Sequence, residues 1–180
     1  MTRGYAVILG NLGNTKDRFC GSYKQALPTG QMLQQAAAIP HVSGIELVGT
    51  WDIGPESAAE MKRALGDLGL ACVSVIPDLF ANPRYWKGSY TSTDPAVRRH
   101  AVDHTRQMAD IAVDLGCATI NLWPGQDGHD HNLTADYQAQ REWLCAAVHE
   151  VATACPGLRF ALEYQPQEPR THSTLARMAD

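Results

Sequence analysis

The sequence predicts a parallel α/β fold with about five strands and four to five helices. Short apolar runs alternate with longer helical patterns along all 180 residues. The apolar runs are nearly continuous, which is typical of strands that are covered on both faces in a parallel sheet. With 44% hydrophobic and 19% charged residues, the chain can bury one sizeable core, so we expect a single domain over residues 1–180.

Five segments are predicted to be strands, and the longer segments between them to be helices. Pro55 near the start of the second helical segment and Gly69 after its end are typical helix boundaries, as is Gly116 after the third. The predicted strands are 5–10, 44–49, 71–77, 117–123 and 158–164. The predicted helices are 30–39, 55–68, 94–115 and 134–154, and a fifth is expected to begin within 174–178.

Two architectures place strands and helices in this order, a doubly wound open sheet and a (β/α)₈ barrel. The open sheet favours a glycine-rich phosphate turn after the first strand, and residues 10–13 match it poorly. In the barrel, functional side chains gather directly after the strands. Aromatic, acidic and imidazole side chains do so here, which favours a partial TIM barrel. They are Trp51, Asp52, Asp78, Phe80, Trp123, Asp127, His129, Asp130, His131 and Glu163.

Charge and cysteine usage exclude several classes of protein. A net charge of −4 leaves no basic field for nucleic acid or an anionic membrane, and no apolar run is long enough to span a bilayer. The five cysteines are odd in number and form no C-x-x-C motif. We interpret them as free thiols in a reducing compartment, which predicts a cytoplasmic protein without nucleic-acid or membrane partners.

Two groups of residues are candidate metal ligands. Glu163 ends an apolar strand, so it is either a ligand for Mg²⁺ or Mn²⁺ or a rim carboxylate paired with an arginine. The residue types of segment 127–131 can also bind a metal, although a solvated polar loop is the favoured interpretation. The residues alone therefore leave the role of Glu163 open.

Histidine and tryptophan side chains supply further candidates. His100 and His104 have the spacing of metal ligands, but they lie on a predicted outer helix, where packing histidines are favoured. Trp51, Trp86 and Trp123 either stack on a sugar ring or pack against other side chains. Since Trp51 and Trp123 directly follow strands, their positions favour substrate binding.

Three segments carry a family resemblance. Residues 79–99 fit the pattern L-F-x-x-P-x-x-x-x-G-x-F-T-x-x-D-x-x-x-R-R, with Tyr90 at the second aromatic position. Residues 123–128 (WPGQDG) are similar to W-G-G-R-E-G, and residues 162–170 (LEYQPQEPR) to L-E-P-K-P-N-E-P-R. In this order and spacing, over roughly residues 70 to 170, the segments resemble the xylose isomerase superfamily.

This resemblance implies a barrel that binds a divalent metal, Mn²⁺ or Mg²⁺, and isomerises or epimerises a sugar or sugar phosphate. Glu163 corresponds to the family's metal-bridging carboxylate, and Trp123 and Phe80 correspond to aromatic residues of the sugar-site wall. Glu168, with residue 170, corresponds to a charged motif linked to loop and subunit contacts. Gln165 stands where the family has a catalytic lysine, so the catalytic position carries an uncharged donor.

The resemblance is incomplete in sequence and in length. Residues 126–127 replace the family's Arg-Glu pair, and His41 is no convincing match for the catalytic histidine, which favours an epimerase-like relative over a true xylose isomerase. A full barrel needs about 250 residues. We therefore expect a truncated form that lacks strands six to eight and is inactive as it stands.

Three alternatives to a sugar isomerase or epimerase remain open at this point. The first is an inactive fragment that forms a homo-oligomer through exposed sheet edges. A sugar-acid or inositol dehydratase on the same scaffold cannot be separated from an isomerase by sequence. An abasic-site endonuclease would also share the barrel, but the acidic charge argues against it.

Overall fold

The computed structural model describes residues 4–15, 20–168 and 171–178. The strands in these ranges are β1 (Tyr5–Ile8), β2 (Val42–Val48), β3 (Ala71–Ile76), β4 (Thr119–Leu122), β5 (Gly128–His129), β6 (Arg159–Leu162), β7 (Gln167–Glu168) and β8 (Thr171–Ser173). The α-helices are α1 (Thr29–Ala38), α2 (Ala58–Asp67), α3 (Pro95–Asp114) and α4 (Tyr137–Ala154). Short 3₁₀ helices cover Leu9–Leu12, Pro83–Tyr85 and Asn132–Thr134.

The main sheet confirms the predicted partial barrel. Its five strands are parallel and lie in the order β1-β2-β3-β4-β6, so strands that follow one another around the barrel are neighbours. Helices alternate with these strands along the chain, as βαβ units require. Strands β1 and β6 form the two edges, and no pairing joins them within the described residues, so the barrel is not closed.

Helix boundaries follow local side-chain chemistry. The carboxylate of Asp94 accepts a hydrogen bond from the Ala96 amide at 2.8 Å, and Pro95 occupies the first turn of α3. Gly116, with φ of +73°, terminates the same helix. Asp136 caps α4 in the same way, accepting from the Ala139 amide at 2.9 Å.

The principal core lies between the sheet and the helices. Alternate strand residues, including Ile45, Leu47, Val75, Ile120 and Leu122, are fully buried on this face. The helices cover them with apolar side chains that include Leu33, Met61, Met108 and Ile111. Burial of this apolar face is the main contribution to the stability of the fold.

One predicted element is wrong. Residues 174–178 form bends and a turn, not the start of a helix. Before them, β8 pairs antiparallel with both β5 and β7 in a small three-stranded sheet. The helix is absent there because the backbone of this segment hydrogen-bonds to the loops beside it: the Thr174 amide donates to the Asp127 carbonyl at 2.9 Å.

Among the residues that the structure describes, none of the helices is both long enough and apolar enough to cross a membrane.

Candidate functional site

A cavity of about 300 Å³ lies at the carboxyl ends of the main-sheet strands. Trp51 follows β2, Phe80 follows β3, Trp123 follows β4 and Glu163 follows β6, so each main strand after β1 contributes a side chain to it. The cavity is lined by Ile8, Asn11, Thr15, Val48, Trp51, Ile76, Phe80, Trp123, Glu163 and Glu168. The structure thus brings together the predicted metal ligand and all three predicted substrate-binding aromatics.

Three aromatic rings form a continuous wall of this cavity. Phe80 lies between two tryptophans, with its ring centroid 5.3 Å from that of Trp51 and 4.5 Å from that of Trp123. Both pairs are edge-to-face, with interplanar angles of 70° and 63°. This geometry is favourable between aromatic rings and fixes their orientation. Phe80 is buried, while both tryptophans are partly exposed to the cavity side.

Asp78 holds this wall in place. Its Oδ2 accepts hydrogen bonds from the indole Nε1 of Trp51 at 2.9 Å and from the Thr50 hydroxyl at 3.0 Å. Its Oδ1 accepts from the amides of Phe80 at 3.3 Å and Ala81 at 2.8 Å. The carboxylate therefore joins the loop after β2 to the loop after β3. The position of Asp78 after a strand predicted a place at the rim, but nothing in the sequence indicated this role.

The acidic side of the cavity is formed by Glu163 and Glu168. Asn121 donates from Nδ2 to Oε2 of Glu163 at 2.9 Å, and no arginine is seen to pair with Glu163 among the described residues. Gln165, at the position of the family's lysine, donates from Nε2 to Glu168 at 3.1 Å. Residue 170, the other half of the charged motif, lies outside the described residues.

The fit of a divalent metal can be tested on these carboxylates. Mg²⁺ and Mn²⁺ take about six ligands, mainly oxygen atoms. In residues 4–15, 20–168 and 171–178, no group of three or more His, Cys, Asp or Glu side chains is placed to hold a metal ion. Glu163 and Glu168 line the same cavity. Two carboxylates alone do not form a complete site, so the described residues do not by themselves fit a tightly bound metal.

Asp127 is buried, so the interpretation of segment 127–131 as a solvated loop is wrong at this position. Its carboxylate accepts hydrogen bonds from the amide and hydroxyl of Ser89 and from those of Thr91, which lie after β3. Burial raises the pKa of Asp127, against the lowering effect of these hydrogen bonds. All four of these hydrogen bonds are donated to the carboxylate by the segment after β3. This indicates that Asp127 links two loops and is not a metal ligand.

The remaining candidates of the sequence lie away from the cavity. His100 and His104 are half-buried on α3, which confirms their prediction as packing residues, and the ring of His100 bonds the Tyr85 hydroxyl through Nδ1 at 2.8 Å. The His129 ring stacks on that of His172, with centroids 5.4 Å apart, inside the small antiparallel sheet. Trp86 is 66% exposed and lies outside the aromatic wall.

Comparison with known proteins gives this geometry a context. Residues 33–180 match the family described as the xylose isomerase-like TIM barrel. Xylose isomerase of Thermus thermophilus is 34% identical over 113 residues, which are 61% of this chain and 29% of that protein.

Two solved structures show the same fold at low sequence identity. An L-ribulose 3-epimerase superposes with a TM-score of 0.68 at 19% identity and covers 99% of this chain. A family 2 AP endonuclease from Brucella melitensis superposes with a TM-score of 0.56, also at 19% identity, over 77% of this chain. This chain covers 54% and 50% of those two chains, about half of each. By the family match, the shared segments and the five-stranded barrel sheet, the chain belongs to the xylose isomerase-like TIM-barrel family.

Proposed function

We propose that this chain carries the sugar-binding side of a sugar isomerase or epimerase, which interconverts aldoses and ketoses or epimerises ketoses. The observation that supports the proposal is the cavity itself, which Trp51, Phe80 and Trp123 line together with Glu163 and Glu168. A cavity lined by both aromatic rings and carboxylates suits a sugar, because a sugar has C–H faces that pack on rings and hydroxyl groups that donate hydrogen bonds.

In this proposal each group has a separate task. The two tryptophans bind the C–H faces of the sugar or sugar phosphate, and Phe80 keeps them at fixed angles. Glu163 and Glu168 accept hydrogen bonds from its hydroxyl groups. The amide of Gln165 is the candidate catalytic donor to the substrate carbonyl, because its Nε2 has a second N–H besides the one donated to Glu168.

Metal dependence is the part of the proposal that needs groups beyond the described residues. Glu163 is the proposed first ligand of Mn²⁺ or Mg²⁺, and further oxygen or nitrogen ligands have to complete the site. The chain covers about half of the solved epimerase chain that it matches. We therefore propose that the 180 residues bind sugar but do not convert it.

A fluorescence titration tests sugar binding. Tryptophan emission of the 180-residue protein is followed while a ketohexose, a ketopentose and an aldopentose are added. We expect a saturable change that is lost in Trp123→Ala and kept in Trp86→Ala, because Trp86 lies outside the cavity. Equal titrations of both variants, or no saturable change in the wild-type protein, would refute the proposal.

A conversion assay tests the second half of the proposal. The protein is incubated with the same sugars, with and without Mn²⁺, and the products are separated by chromatography. We expect no isomer or epimer above the buffer control. Product formed only with Mn²⁺ and lost in Glu163→Gln would show that the described residues suffice for activity, against our expectation.

Location and macromolecular partners follow from charge and cysteine state. We propose a cytoplasmic protein that binds neither nucleic acid nor membranes, since its net charge is −4 and Cys72, Cys117, Cys145 and Cys155 are free thiols. Binding of a DNA duplex with an abasic site, weakened by added salt, would instead favour the endonuclease alternative. A filter-binding assay across salt concentrations measures this directly.

A further inference from the structure

Cys72 and Cys117 are brought together at the end of the sheet opposite the cavity. Cys72 lies in β3, and Cys117 lies two residues before β4. The two strands are neighbours, paired in parallel at Val75 and Ile120. Each cysteine lies three residues before one member of that pair, and each thiol shifts the pKa of the other, so the two side chains are close. They are 45 positions apart in sequence, outside any C-x-x-C motif, so only the fold makes them a pair.

The surroundings of the two thiols differ. Cys117 is 4% exposed, while Cys72 is partly exposed, and both pack against the core between sheet and helices. Each sulfur also lies near a carbonyl two residues on, at 3.6 Å from Ser74 O for Cys72 and 3.4 Å from Thr119 O for Cys117. The pair therefore sits in a packed site that a small oxidant can reach from the Cys72 side.

The proximity of the two thiols also makes them chemically unequal. Cys72 lowers the pKa of Cys117 to about 6, and the positive charge of Arg159 adds to this effect against the desolvation by burial. The same pairing and burial raise the pKa of Cys72. The lowered pKa of Cys117 favours its thiolate, which is the form that reacts with oxidants, and the thiol of Cys72 lies beside it.

The backbone spacing allows the two sulfurs to be joined. Neighbouring strands lie about 4.8 Å apart. Disulfides form between residues whose Cα atoms are about 4.4–6.8 Å apart. Since Cys72 and Cys117 each lie three residues before the paired Val75 and Ile120 on adjacent chain segments, no large backbone movement is needed.

We propose that Cys72 and Cys117 form an oxidant-reactive dithiol site that hydrogen peroxide closes to an intramolecular disulfide. The Cys117 thiolate attacks one peroxide oxygen, the O–O bond breaks, and hydroxide leaves as Cys117 becomes a sulfenic acid. The Cys72 sulfur then attacks the Cys117 sulfur. The S–O bond breaks, and the departing hydroxide takes the Cys72 proton to form water. The two sulfurs are oxidised by two electrons in total, and peroxide is reduced to one hydroxide and one water. The hydroxide becomes a second water when it takes up the proton that Cys117 released on ionisation.

Peptide mapping of the full 180-residue protein tests the site. The reduced protein is exposed to peroxide, its remaining thiols are alkylated, and it is digested with trypsin. Cleavage gives the peptides 64–84 and 107–141, each of which holds a single cysteine, Cys72 and Cys117 respectively. We expect these two peptides joined by a disulfide, with a mass lower by two hydrogen atoms than their sum, before the exposed Cys145 is oxidised.

Variants separate this reaction from general thiol oxidation. Cys72→Ala removes both the partner sulfur and the main cause of the lowered pKa of Cys117, so it should lose the linked peptide and slow the oxidation of Cys117, whereas Cys145→Ser should keep the link. Circular dichroism shows whether each variant is folded, and the wild-type map does not depend on any variant. Peptides 64–84 and 107–141 that stay unlinked while Cys145 oxidises would overturn the proposal. A link that forms only in urea would overturn it as well.

Discussion

The two faces of the main sheet differ in chemistry although the same strands form both. On the helix-covered face, Ile45, Leu47 and Ile120 are fully buried among apolar side chains. On the opposite face, Glu46 accepts a hydrogen bond from Ser74, and Asn121 lies beside them in an open cavity of about 400 Å³. Alternation of side chains along each strand thus separates the residues that stabilise the fold from polar residues that remain accessible.

Substitution of matched residues on the two faces is the strongest test of this comparison. Leu47→Ala on the helix-covered face should lower the free energy of unfolding by about 3–4 kcal/mol, because it leaves a cavity in a packed core. Asn121→Ala on the open face should cost less than about 1 kcal/mol, since Asn121 is partly exposed. Urea denaturation followed by circular dichroism measures both. Equal losses would mean that the faces do not differ in their contribution to stability.

Asp127 sharpens the comparison, because it is polar yet buried. Asp127→Ala leaves the amides and hydroxyls of Ser89 and Thr91 without their acceptor, so the free energy of unfolding should fall by about 2–3 kcal/mol. The same urea experiment measures it, with Asp130→Ala as a control, since Asp130 is exposed. A loss no larger than that of the control would show that the buried tie contributes nothing.

The free energy of unfolding should also depend on pH through the carboxylate of Asp127. Burial raises the pKa of Asp127 in the folded state above its unfolded value, so the folded state binds the proton more tightly. The stabilisation that protonated Asp127 gives to the folded state is complete below its pKa in the unfolded chain. It is lost as the pH rises through its pKa in the folded protein. Asp127→Asn should flatten this part of the profile of unfolding free energy against pH. An unchanged slope in the variant would assign the dependence to other groups.

Substitutions at the edges of the sheet should have a smaller effect, and it should be on self-association. In β6, Leu162 is 43% exposed, and Tyr5 in β1 is 62% exposed. We propose that these edges associate with a second copy, because unpaired strands with apolar side chains are pairing sites. Leu162→Lys should weaken self-association by about tenfold, a change of about 1.4 kcal/mol. Light scattering over a dilution series measures the mass, and a wild-type protein that is monomeric throughout would contradict the proposal.

The smallest effect is expected on the outer surface of the helices. Arg99 forms ion pairs with Asp103 and Glu150, each at 2.8 Å, but its side chain is 47% exposed. Solvent screens such pairs, so Arg99→Ala should change the free energy of unfolding by no more than about 0.5 kcal/mol. Raising the salt concentration should remove the difference between the variant and the wild-type protein. A loss comparable with that of Leu47→Ala would invalidate the ranking of the faces.

Local sequence patterns were sufficient to predict the strands and part of the candidate site. A run such as 44–49 is predictable because its apolar residues are consecutive, and the parallel strand order follows from the alternation of strands and helices. The rule that function follows the strands of a barrel then placed Trp51, Phe80, Trp123 and Glu163 at one rim, where the structure brings them together.

Contacts between distant segments were not predictable in this way. The partners of Asp127 lie 36 and 38 residues away, and no local pattern relates them. The predicted helix at 174–178 was wrong because tertiary hydrogen bonding to the neighbouring loops outweighs the weak helical preference of a short segment. The pairing of β5, β7 and β8 is of the same kind, since strands of two or three residues carry no sequence period.

The hydrogen bonds that tie the rim loops together affect the entropy cost of binding a ligand. Asp78 joins the loops after β2 and β3, and Asp127 joins the loop after β3 to the loop after β4. The small antiparallel sheet then joins that loop to the segment after β6. The segments after these four strands are linked in series, so this part of the cavity is preorganised before any ligand arrives. A sugar that binds there orders few additional torsions, so little of its contact energy is offset by lost conformational entropy.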